Sequence, residues 1–116
     1  MGEARHSRVK VHLAAYASEC LRSYAQSQGK NDGDVFGEWI VADLADQVDQ
    51  LISSGGSLPL VATEQELVTL RVTAAARSRL NEQAARLAVV MADESVSARR
   101  LGRWLIEKQL QSLGEL

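Results

Sequence analysis

Two short stretches of the chain alternate strictly between apolar and polar residues. In residues 8–13, Val9, Val11 and Leu13 fall on one side and Arg8, Lys10 and His12 on the other. In residues 68–73, Val68, Leu70 and Val72 alternate with Thr69, Arg71 and Thr73. Successive side chains of a strand point to opposite faces, so each stretch predicts a strand with one apolar and one polar face. An isolated strand leaves its backbone donors and acceptors unpaired. Each stretch is the best partner the chain offers the other.

The remaining segments carry the helical period. Tyr16, Ala17, Cys20, Leu21, Tyr24 and Ala25 recur at helical spacing over residues 15–28, and Gly29 is placed to stop that helix. Residues 30–33 read as a turn, with Asp34 as N-cap of a second helix over residues 35–52. Its inner stripe is Phe36, Trp39, Ile40, Leu44, Val48 and Leu51. A Ser-Ser-Gly-Gly-Ser run from residue 53 ends it, and a connection containing Pro59, the one proline, leads to the second strand. A third helix follows over residues 74–91, with Leu80, Ala84, Leu87 and Val90 as its stripe. After a turn at residues 92–94, Ser95 or Ser97 caps a fourth helix reaching about residue 113, with Leu101, Trp104, Leu105, Leu110 and Leu113 apolar.

The two halves lie over one another. Val9, Val11, Leu13, Leu21 and Ala25 match Val68, Leu70, Val72, Leu80 and Ala84 at a constant offset. The tripeptide Gly37-Glu38-Trp39 matches Gly102-Arg103-Trp104, each followed by two aliphatic residues. This duplication predicts two strand-helix-helix repeats. A single unit of that size cannot enclose a core, whereas two can, with both strands paired antiparallel over four helices. The expected layout is a basic arm at residues 1–7, repeats at 8–52 and 67–116, and a linker at 53–66, all in one compact domain. The expected fold class is α+β, mostly helical.

Composition narrows the function. The 116 residues hold one cysteine, Cys20, which excludes an internal disulfide and a cysteine-based zinc site. No apolar run is long enough for a membrane span, and residues 1–6 lack the apolar core of a signal peptide, so the expected location is the cytoplasm. No phosphate loop, nucleophile elbow or catalytic acid–base pair is present, and no cofactor or enzymatic activity is expected. The net charge of −2 argues against a polyanionic partner, but its distribution does not. Residues 1–13 hold Arg5, Arg8 and Lys10 against Glu3, and residues 71–108 hold eight basic residues against four acidic ones. The acid is concentrated in residues 32–49.

With its duplicated strand-helix-helix pattern, the chain resembles the ribbon-helix-helix DNA-binding proteins, in the tandem form of TraY-type accessory proteins of conjugal transfer. That resemblance implies a monomeric pseudo-dimer and double-stranded DNA as partner, with a relaxase or other plasmid-maintenance protein as a further one. It implies a ribbon in the major groove whose outward residues, Arg8, Lys10, His12, Thr69, Arg71 and Thr73, meet base edges. Arg and Lys donate to guanine O6 and N7, and Thr offers a hydroxyl and a methyl. The other reading of the same residues is the solvated face of an amphipathic ribbon. The resemblance also implies phosphate contacts where the second helix of each half begins: Ser95, Val96, Ser97, Arg99 and Arg100 in one, Lys30 in the other. Asp32 and Asp34 depart from that pattern by placing carboxylates where a phosphate would sit.

The leading expectation is therefore sequence-specific DNA binding, as a transfer or partition accessory factor or a small repressor. Two alternatives remain. An antitoxin would need a toxin-binding tail, and three residues follow the fourth helix. A protein–protein module that has lost DNA binding accords with the acidic balance and with Asp32 and Asp34. Trp39 and Trp104 are expected in the core, and Cys20 as a small apolar group.

Overall fold

The computed structural model describes residues 6–56, 58 and 66–115. Strand β1 (His6–Leu13) leads into α1 (Ala15–Ser27) and α2 (Asp32–Ser54); strand β2 (Glu66–Thr73) leads into α3 (Ala74–Met91) and α4 (Ala98–Ser112). The strands pair antiparallel as the one sheet among the described residues, with Lys10 opposite Thr69, Val9 opposite Leu70 and Val11 opposite Val68. Directly opposed residues share a face, so Val9, Val11 and Leu70 point together into the interior. Both strands begin two residues earlier than the alternation indicates, and β1 takes in His6 and Ser7 of the expected arm. Residues 1–5 of that arm, and residues 57 and 59–65 of the linker, lie outside the described residues.

Beneath the ribbon the helices close one continuous core. Val11, Leu13, Leu70, Phe36, Leu44, Leu80, Leu87, Leu101, Leu105 and Leu110 are all fully buried in it. The helix ends follow local chemistry. Chain reversal after α1 uses Gly29 at φ +69°, and Gly55 at φ +69° ends α2. These left-handed angles cost glycine no Cβ clash. Thr73 and Ser97 cap α3 and α4 through their hydroxyls, which accept hydrogen bonds from the Ala76 and Arg100 amides at 3.1 and 3.3 Å. Ser97, not Ser95, is thus the cap. The second helix starts at Asp32 rather than Val35, with Asn31 in the N-cap position that the turn chemistry suggested for Asp34.

The division into two strand-helix-helix repeats is overturned. Among the described residues there is one strand pair, joined antiparallel across the two halves as the alternation predicts, and the helices are not matched copies. α1 has 13 residues where α3 has 18, and α2 has 23 where α4 has 15. The aligned glycines have unlike surroundings. A Cβ on Gly37 would make an ordinary contact with Val72 at 3.7 Å, whereas on Gly102 it would press on Phe36 and Val11 at 3.0 Å. A pseudo-dimer of like units therefore gives way to an α+β arrangement, mostly helical, with one antiparallel pair and four helices among the described residues. Matching apolar positions report which residues face inward. They do not report how many turns each helix runs or which neighbour it meets.

The tryptophans move outward for the same reason. Trp39 and Trp104 are half-buried and pack against the rim of the core. The Trp39 ring stacks on Tyr24 at 5.9 Å between centroids, and the Lys108 ammonium lies 5.9 Å from the Trp104 ring. The central aromatic is Phe36, with no exposed surface. Val90 and Leu113, counted in the apolar stripes, are about half exposed, at 54% and 45%. Gln109 is buried instead, and donates a 2.7 Å hydrogen bond to Asp43 that ties α4 to α2.

Candidate nucleic-acid interface

The outward face of the ribbon is built by strand alternation. Its cross-strand pairs are Arg8 opposite Arg71, Lys10 opposite Thr69, and His12 opposite Leu67. Arg8, Lys10, Thr69 and Arg71 are exposed, and His12 is half-buried. Two guanidinium groups directly across a strand pair repel one another. No ion pair to Arg8, Lys10 or Arg71 forms among the described residues. An anion laid across this face would relieve that repulsion. Thr73 differs from the other five expected base readers, because its hydroxyl oxygen already caps α3. Leu67, half exposed on the same face, was missed by reading the alternation from residue 68.

Beside β1, the ribbon continues into a groove of about 250 Å³ where α3 and the N-terminus of α4 approach the strand. Arg8, Lys10, Arg77 and Arg99 line it together with Val9, Asn81 and Ala98, and among the described residues no carboxylate does. Helix geometry leaves the first amides of α4, those of Ala98 and Arg99, without an acceptor inside the helix, and the helix dipole adds positive potential there. Charge, dipole and amide donors converge on a space suited to an oxyanion. Sequence reading found Arg99 but missed Arg77 and Asn81. Their i, i+4 spacing on one face of α3 was the available signal.

The other expected phosphate contacts have different work. Val96 is buried in the core. Ser95 donates hydrogen bonds to Asp93 from its amide at 2.9 Å and from its hydroxyl at 2.6 Å, closing the α3–α4 turn. These two bonds, the hydroxyl one foremost, hold the Asp93 carboxyl below its ordinary value; desolvation opposes them, and the nearby Arg100 charge adds a lesser lowering. Arg100 points inward: it bonds the Ser95 hydroxyl, donates to the Leu58 carbonyl at 3.1 Å and lies 4.0 Å from Asp93. It braces the turn and the connection before β2. Ser97 is the α4 cap, which leaves Arg99 as the exposed cation of the set.

The start of α2 is of opposite character. Asp32 accepts a 2.8 Å hydrogen bond from the Gly33 amide, so a carboxylate of the chain itself occupies this helix N-terminus. Asp34 is exposed beside it, and Lys30 is engaged by Glu38 at 2.8 Å. Gly33 is buried against the backbone of Arg71, bringing α2 hard against the edge of β2. The two flanks of the ribbon therefore differ in sign: cationic along β1, acidic along β2.

Among the described residues no group of three or more His, Cys, Asp or Glu side chains could hold a metal ion, and no helix is long and apolar enough to cross a membrane. Cys20 is a free, partly buried thiol packed against the core. No model of a known family, no curated protein and no solved structure matches this chain.

Proposed function

We propose that the chain binds double-stranded DNA, with the outward face of β1 and β2 in the major groove and the β1–α3–α4 groove on backbone phosphates. The observation that carries this reading is the set of exposed cations, Arg8, Lys10 and Arg71, on one ribbon face without ion-pair partners among the described residues. It is supported by Arg77 and Arg99 gathered beside that face. The major groove admits a two-stranded ribbon, and Lys10 and Arg71 have the donors that guanine presents to. The resemblance to ribbon-helix-helix proteins enters through the single ribbon, not through repeated units. Accessory roles in plasmid transfer or partition and repression of transcription share this chemistry.

A second reading, a protein–protein module, is favoured by one observation: Asp32 already fills the anion position at the start of α2. Mobility shift on duplex fragments across a salt series separates the two. DNA binding predicts retention that weakens steeply with salt, since each phosphate neutralised releases counterions. Absence of retention even at low salt points to the protein–protein module.

A further inference from the structure

We infer that the acidic flank of one copy receives the cationic flank of a second copy, giving head-to-tail association without DNA. The acidic flank is a groove of about 620 Å³ between α2 and the end of β2. Its walls include the apolar surfaces of Val41, Ala42 and Val72, and its rim carries Asp34 together with Glu38, which is paired with Lys30 of the same groove at 2.8 Å. Val41 is half exposed, at 49%. A Cβ on Gly37 would meet nothing closer than 3.7 Å, so this glycine leaves room above the α2 surface. An apolar trough beside Asp34, the rim carboxylate without an ion pair among the described residues, suits a side chain with a long aliphatic stem and a charged head, and arginine is such a side chain.

Charge complementarity within the same chain points to a second copy as the occupant. Arg77 and Arg99 stand exposed in the groove beside β1, while the acidic groove borders β2, so the two flank the ribbon from opposite sides. Asp34, like Arg77 and Arg99, forms no ion pair among the described residues. A patch that meets a different patch on the next copy is heterologous, and it propagates rather than closing on itself. The contact is polar and partly exposed, hence weak and sensitive to salt, with a Debye length of about 8 Å at physiological ionic strength.

The test is sedimentation of the DNA-free protein over a concentration series, at low and high salt, with two charge-removing variants. Asp34→Asn/Glu38→Gln lacks the acidic rim, and Arg77→Gln/Arg99→Gln lacks the cations. The parent should form a concentration-dependent ladder of species that high salt disperses. Each variant alone should remain monomeric. An equimolar mixture should form heterodimers and nothing longer, because each variant keeps one intact flank. A parent that stays monomeric at low salt overturns the inference, and so does a mixture without heterodimers. Since no DNA is present, these outcomes leave the DNA-binding reading to its own experiment.

Discussion

The α-carbon of Gly33 stands so close to Arg71 that a Cβ built there would lie 2.2 Å from the Arg71 carbonyl oxygen and 2.8 Å from its amide nitrogen. Both obstructing atoms are backbone, so no rotamer change can make room. This contact fixes where α2 meets β2, and with it the position of Arg71 on the outward face. Gly33→Ala should destabilise by about 1–3 kcal/mol, the usual cost of forcing extra volume into a packed site. Gly37→Ala, with its nearest neighbour at 3.7 Å, should be close to neutral. Thermal or denaturant unfolding of the two variants checks this contrast.

The aromatic ranking gives a second expectation. Phe36→Ala should cost about 3–5 kcal/mol, the range for truncating a large aromatic in a core. Trp39→Ala should cost less, since the ring is half-buried and its stacking on Tyr24 contributes only about 0.5–1.5 kcal/mol beyond its buried area. Equal losses, or a larger one for Trp39, would contradict the observed placement.

Arg100 and Arg99 are neighbours in sequence with separate roles. Removing Arg100 breaks charge-assisted bonds to Ser95 and Leu58, each kind worth about 1.5–3 kcal/mol. Arg100→Ala should therefore lower stability. Arg99→Ala should leave stability unchanged and weaken DNA binding on all sequences, with the salt slope reduced by about one. Unfolding and binding titrations on the same two proteins separate the roles.

The Asp93 carboxyl gives the turn a pH dependence whose sign is fixed. Its folded value lies below the ordinary 3.8. The stabilisation it supplies is therefore complete above that value and is lost as pH falls through the lower, folded one. The Ser95 amide resonance should shift over this acid range and not near neutrality. In Ser95→Ala the Asp93 titration should move back toward 3.8, since the hydroxyl bond is the largest cause of the depression.

What the sequence disclosed, it disclosed through period. Alternation at Val9, Val11, Leu13 and at Leu70, Val72 located both buried strand faces, and the i, i+4 series Phe36, Ile40, Leu44, Val48 located the buried stripe of α2. Periodicity did not carry length or partner choice, which is why matched positions suggested equal repeats where the helices differ. It also could not separate Arg99 from Arg100. That separation depends on Leu58 reaching back to the turn, a contact between residues 42 apart in sequence. Arg77 and Asn81 share a face of α3 by their i, i+4 spacing, but nothing local shows that this face lies beside β1.

The central claim is that the ribbon reads base pairs, and a single ratio tests it. A duplex selected by the parent from a randomised pool is compared with its scrambled version, in the parent and in Lys10→Ala and Arg71→Ala. Both side chains are exposed on the outward face, so the variants should fold as the parent does. Loss of a base contact costs about 1–3 kcal/mol of discrimination, so the ratio of selected to scrambled affinity should fall by roughly fivefold to more than a hundredfold. A ratio unchanged in both variants, with binding to either duplex intact, would show that sequence is read elsewhere and that the ribbon is not the recognition element.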